Sequence, residues 1–82
     1  MPRYYFDLYD GAEVSVDAEG SELAHMQEAR DEATMTLVET AKDRFPPKGQ
    51  ARTLSIRVRD GDDKHLLAIS IAYLEEPPDW VR

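Results

Sequence analysis

Eighty-two residues, 9.4 kDa and no cysteine make a single small domain without disulfides, thiolate metal ligands or a thiol nucleophile. Ten basic residues against seventeen acidic ones leave a net charge of −7, which argues against a duplex-DNA binder that works by neutralising phosphates. No apolar run approaches the roughly 20 residues of a membrane span and the N-terminus has no signal-peptide layout, so a cytoplasmic protein with no membrane partner is expected.

The charge is unevenly spread. Residues 1–41 hold ten acids and two bases, whereas residues 42–82 hold seven acids and eight bases. For a helix lying on a sheet, the acids of the first half read as a solvated helix face.

Arg3 to Tyr9 alternates, with Tyr4, Phe6 and Leu8 on one side and Arg3, Tyr5, Asp7 and Tyr9 on the other. Period-two patterning rich in aromatics favours a strand. Asp10-Gly11 follows, a dipeptide that suits a tight hairpin turn because glycine adopts positive φ freely. Glu13 to Asp17 places Val14 and Val16 on one face of a short second strand, which Asp17-Ala18-Glu19-Gly20 ends.

A helix comes next. Leu23, Met26, Ala29, Ala33, Leu37 and Ala41 recur at three- and four-residue spacing, a narrow apolar stripe. Met35 lies opposite that stripe and Val38 flanks it. Two starts are open: Ser21 as N-cap with Glu22 in the first turn, or His25 with Glu28 three residues on. Lys42 and Arg44 suit the negative end of the helix dipole. Pro46-Pro47 stops the helix near Arg44, because the residue before a proline avoids helical backbone.

Arg52 to Asp60 alternates again, with Leu54, Ile56 and Val58 inward and Thr53, Ser55, Arg57 and Arg59 outward. Asp60-Gly61-Asp62-Asp63 is a second hairpin turn. Lys64 to Leu74 is apolar on both sides: Leu67, Ile69, Ile71 and Tyr73 on one, Leu66, Ala68, Ser70, Ala72 and Leu74 on the other. Such a strand reads as central and covered on both faces. The expected fold is two β-hairpins joined by one helix, β-β-α-β-β, with the helix on one face of a four-stranded sheet. Residues 75–82 form a Pro-rich C-terminal tail.

The opening Met1-Pro2-Arg3-Tyr4-Tyr5-Phe6-Asp7-Leu8 with Asp10-Gly11 resembles a family of small uncharacterised bacterial proteins common in alphaproteobacteria. Asp17 to Leu23, Ala29 to Ala33 and Leu54 to Asp60 match it in order. The resemblance implies a small α+β domain of unknown function and assigns no catalytic residue. His25 departs from it, since similar proteins carry a short polar N-cap there, and this favours Ser21 as the helix start.

Chemistry-bearing patterns are sparse. His25 and His65 lie apart with no second His or Cys at ligand spacing, and neither has an orienting partner of the kind a catalytic base needs. Counting a calcium loop from Asp60 puts His65 at the glycine position and Ile71 at the glutamate position, so the pattern fails. The glycines are scattered singly, unlike a phosphate-binding loop. Neither catalytic residues, a cofactor nor a metal is expected, and the chain reads as a non-enzyme.

The outward sheet face carries the interest. Tyr5, Tyr9, Arg57 and Arg59 combine aromatics and guanidiniums, the materials of a platform for single-stranded nucleic acid. Asp7 between the tyrosines and the negative net charge oppose that reading. Leu66, Ala68 and Ala72 leave an apolar patch that wants cover, from a second subunit by two-fold symmetry, or from the tail with Trp80 folding back. The leading expectation is a non-enzymatic protein-interaction or regulatory module with a protein partner or itself as a homodimer. The alternative is a single-stranded nucleic-acid-binding module on the same face.

Overall fold

The computed structural model describes residues 1–49 and 51–78. Strand β1 (Arg3–Asp10) turns through Gly11-Ala12 into β2 (Glu13–Ser15). A loop leads to β3 (Ser21–Glu22), then helix α1 (Met26–Arg44), β4 (Ala51–Arg59) and β5 (His65–Leu74). The sheet is antiparallel in the order β2-β1-β4-β5, and β3 pairs with the N-terminal part of β1 on the side that β2 occupies further along. The α+β class and the two hairpins stand as expected. The strand count is five rather than four, because two residues before the helix are spent on a short extra pairing.

That pairing also corrects the helix start. Ser21 pairs with Tyr4 and Glu22 with Arg3, and the Leu23 N–H reaches the Pro2 carbonyl at 3.1 Å. Backbone committed to a sheet cannot cap a helix, so Ser21 is no N-cap. His25 takes that position with extended backbone and no side-chain capping bond. The Glu28 carboxylate instead reaches back to the Ala24 N–H at 3.2 Å. At the other end the Phe45 N–H closes the last turn on the Ala41 carbonyl at 2.8 Å, and Pro46 has no N–H with which to continue it.

The core lies between α1 and the inner face of β4 and β5. Leu54, Ile56 and Val58 are almost fully buried, and Ala29, Ala33, Leu37 and Ala41 meet them from the helix, with Tyr4 at one side. Each fully buried aliphatic side chain contributes about 2 kcal/mol by area removed from water. Alanines dominate the helix stripe, so little side-chain volume stands between helix backbone and sheet. At one end of this face Phe45 packs on Tyr73 with ring centroids 5.7 Å apart. Beside it the Asp10 carboxylate accepts from Arg44 at 2.7 Å and from Arg52, tying the end of the helix to β1 and β4.

Two other expectations are corrected. The second strand, expected from Glu13 to Asp17, stops at Ser15, so Val16 falls outside it, and Val14 and Val16 are exposed at 48% and 67%. β5 is not central: among the described residues it pairs with β4 alone and forms the margin opposite β2. Its two apolar faces therefore do not report cover on both sides. The helix covers one, and the other is open.

Candidate interaction face

Opposite the helix, β1 contributes Tyr5, Asp7 and Tyr9, β4 contributes Ser55, Arg57 and Arg59, and β5 contributes Leu66, Ala68, Ser70, Ala72 and Leu74. The register places Tyr5 opposite Arg59, Asp7 opposite Arg57, and Tyr9 opposite Ser55. The hairpins do lie side by side, so the tyrosines and guanidiniums expected on one surface come together there.

One aromatic–guanidinium pair is diagonal across the ladder, Arg57 with Tyr9, and the other is direct, Arg59 with Tyr5. The Arg57 guanidinium lies 3.9 Å from the centroid of the Tyr9 ring, and that of Arg59 lies 4.6 Å from the centroid of Tyr5. Both are cation–π contacts. Arg59 also donates from Nε to Asp7 Oδ2 at 2.8 Å, from Nη2 to the Asp17 carbonyl at 3.0 Å, and from Nη1 to Asp63 Oδ1 at 3.0 Å. Asp7 is only 5% exposed. The acid that reads as a surface charge between two tyrosines is thus a buried, paired carboxylate.

Asp17 completes this half. Its Oδ2 accepts the Phe6 N–H at 3.1 Å and its Oδ1 accepts the N–H groups of Glu19 and Gly20 at 3.2 and 3.0 Å. Its own N–H donates to Asp7 Oδ1 at 2.9 Å. Burial pushes the Asp7 carboxyl up, but hydrogen bonds and charge from Arg59, with the Asp17 N–H, outweigh it and hold the group below its usual range. Asp17 is likewise pushed up by burial, yet three backbone donors bring it below its ordinary value. Gly20 sits against this network at φ +70°, where a Cβ would lie 2.9 Å from Arg3 Cγ, the Tyr4 carbonyl oxygen and Tyr5 Cε2. Only glycine fits there.

The other half of the face is apolar and open. Ala68, Ser70 and Ala72 are exposed, as are Leu66 at 36% and Leu74 at 66%. Ser70 Oγ and Ser55 Oγ lie 2.7 Å apart at the seam between the halves. Near one end an open depression of about 400 Å³ is lined by Arg57, His65, Leu66, Leu67 and Ala68. It holds a guanidinium and an imidazole but no carboxylate to orient them. Trp80, expected to fold back on this face, lies outside the described residues, as does the end of the tail.

The remaining candidates separate from the face. His25 is exposed at the helix start, 3.9 Å from the Glu28 carboxylate. The Asp60 carboxylate accepts the N–H groups of Asp62 and Lys64 at 2.9 and 3.0 Å, the work of a turn residue. Among the described residues no three His, Asp or Glu side chains gather as a metal-binding group, and no helix is long and apolar enough to cross a membrane. Met35 is 56% exposed and Val38 40%, apart from the outer face.

Sequence reasoning passed over Asp7, Asp17 and Asp10 as structural centres. Asp17-Ala18-Glu19-Gly20 carried a signal, since an aspartate followed within three residues by glycine suits a side-chain-capped turn. Asp7 carried none, because its partner lies diagonally across the ladder and is visible only once β1 and β4 are known to be neighbours. A family model described as "Domain of unknown function (DUF6894)" matches residues 3–72. No curated protein and no solved structure matches the chain significantly.

Proposed function

The chain belongs to the DUF6894 family, a domain of unknown function, and we propose that it is a non-enzymatic protein-interaction module that acts as a homodimer through the uncovered side of its sheet. The observation that carries this reading is the contrast within that side. Its β1 half satisfies its own charges and covers one face of each tyrosine with a guanidinium. Its β5 half offers Leu66, Ala68, Ala72 and Leu74 without a charge among them. Exposed apolar strips of this kind mark interaction surfaces. A non-enzymatic role agrees with the open depression at Arg57 and His65, which lacks the enclosed, convergent polar set of an active site. The reading takes the protein as bacterial and cytoplasmic, in keeping with the resemblance noted above.

Sedimentation equilibrium of the full chain tests this directly. The reading predicts a dimer at micromolar concentration that Ala72→Asp, which sets a charge in the apolar strip, weakens. A monomer throughout the micromolar to millimolar range overturns it.

Single-stranded nucleic acid is the second reading, favoured only by the exposed Arg57 beside Tyr9. The paired state of Arg59 and the net charge of −7 weigh against it. Titration of a labelled oligonucleotide at low salt is expected to show no binding; binding lost in Arg57→Ala would raise this reading above the first.

A further inference from the structure

The backbone of β5 says more than its side chains. The Phe6 N–H points away from β4, since it is taken by Asp17 on the β2 side. In an antiparallel ladder the N–H and C=O of successive residues point alternately to the two neighbours. Tyr5, Asp7 and Tyr9 therefore bond toward β4, and their partners Arg59, Arg57 and Ser55 toward β1. Leu54, Ile56 and Val58 must then bond toward β5, where they pair with Ile71, Ile69 and Leu67. What remains is that the N–H and C=O groups of Ala68, Ser70 and Ala72 project from the outer margin of β5. Among the described residues nothing pairs with that margin.

Ten residues of unpaired edge, with no proline and no Lys, Arg, Asp or Glu, are uncommon, because bare edges template association. The only irregularity is at its start, where Leu66 has no partner between the pairs Val58–Leu67 and Arg59–His65. The sequence around this edge is also close to a palindrome. Leu66-Leu67-Ala68-Ile69-Ser70-Ile71-Ala72-Tyr73-Leu74 reads nearly alike in both directions from Ser70. The symmetry continues outward in charge, with Lys64 before the strand and Glu76 after it at equal distance from Ser70. Leu67, Ile69 and Ile71 face the helix but remain only half-buried, and among the described residues no strand stands on their outer flank.

We propose that two copies of this chain pair antiparallel along β5, two-fold about Ser70, to make one continuous sheet with both helices on the same face. This rests on the homodimer reading above and gives it a geometry. Ser70 meets Ser70, Ala68 meets Ala72 of the second copy, and Ile69 meets Ile71. Lys64 approaches Glu76 across each end, so opposite charges meet where a shifted register would waste them. About six new backbone hydrogen bonds close the edge. The two exposed strips from Leu66 to Leu74 merge into one patch across the axis.

Cysteine cross-linking and proline scanning in the full chain test the geometry against a dimer of another kind. The protein has no cysteine of its own, so Ser70→Cys is expected to oxidise to a covalent dimer, its Cα atoms about 5.5 Å from their mates. Ala68→Cys alone is not, whereas the Ala68→Cys, Ala72→Cys double variant is. Ser70→Pro removes an outward N–H and leaves the β4 ladder intact; it is expected to raise the dimer dissociation constant about 50-fold. Lys64→Glu is expected to raise it about fivefold and the Lys64→Glu, Glu76→Lys exchange to restore it. Circular dichroism on each variant separates lost pairing from lost folding. A wild-type dimer in which Ser70→Cys fails to cross-link and a folded Ser70→Pro still dimerises overturns the β5 pairing and leaves the homodimer reading standing. A wild-type monomer overturns both.

Discussion

The two margins of this sheet are built in opposite ways. On the β1 side the edge is broken into β2 and β3, three and two residues long, with the Asp17 carboxylate taking the backbone donor left between them. Arg59, Asp7 and Gly20 lock that loop down. On the β5 side ten residues run without a Lys, Arg, Asp or Glu, and among the described residues nothing pairs with their outer margin. A protein that invests so much in closing one edge shows what closure requires, and the other edge has none of it. Short edge strands and inward charges are the usual protection against unwanted pairing; their concentration on one side is what singles out the other for the pairing proposed above.

The largest expected effect comes from breaking the closed margin at its centre. Asp7→Ala takes from the Arg59 guanidinium, whose side chain is 16% exposed, its buried carboxylate, leaving it the exposed Asp63 and the Asp17 carbonyl, and removes the acceptor of the Asp17 N–H. Losing one partner of a mostly buried pair costs about 3 kcal/mol, read as a lower urea midpoint. Gly20→Ala is next: a Cβ at positive φ, 2.9 Å from a backbone oxygen, costs about 2 kcal/mol in the same assay. Neither variant touches β5. If the margins are independent, both proteins, where still folded, keep the wild-type dimerisation constant.

Acid sharpens the contrast, because the closed margin and the Asp10 end of the sheet hold ionised carboxylates in place, whereas β5 itself contains no Asp or Glu. Arg52, then Arg44, hold the Asp10 carboxyl at about 2, against an ordinary value of 3.8, although burial opposes them. A carboxyl depressed on folding stabilises the native state fully above its unfolded pKa. That contribution is lost as pH falls from 3.8 towards 2. Asp7 and Asp17, also depressed, add losses of the same sign below 3.8. Stability measured against pH is expected to fall across this window, and Asp10→Asn to be less stable at neutral pH with a shallower fall.

The smallest effect is expected on the bare margin itself. Leu74, 66% exposed, has little to lose in the isolated fold, so Leu74→Lys should move the unfolding free energy of the monomer by no more than about 0.5 kcal/mol. The same variant weakens association by introducing a charge beside the pairing edge. A large loss of monomer stability would mean that Leu74 is packed within its own chain.

These differences also explain what could be read without coordinates. The inward and outward sets of β1, β4 and β5 and the alanine stripe of α1 follow from period and need no knowledge of neighbours. Strand order does need it, and that is where β5 misled: two apolar faces are the mark of a central strand, and here the same pattern stands on a strand at the sheet margin. The helix start failed for a different reason. Ser21-Glu22 carries good capping chemistry, while a two-residue strand has no period of its own, so only the pairing with Arg3 and Tyr4 reveals it. On the outer face Tyr5, Tyr9, Arg57 and Arg59 were legible as one surface. That Arg59 is held by Asp7 and Asp17 was not, because the contact joins residues far apart in sequence through a loop whose path periodicity does not specify.

Hydrogen exchange at the amides of β5, followed by NMR over a range of protein concentrations, reads the edge most directly. Leu67, Ile69 and Ile71, bonded toward β4, should exchange slowly throughout. Ala68, Ser70 and Ala72 should be protected in concentrated solution and exchange progressively faster on dilution as the second copy leaves. Fast exchange of these three at every concentration would contradict the account, and so would protection that dilution does not change, which would assign the edge to the chain's own tail.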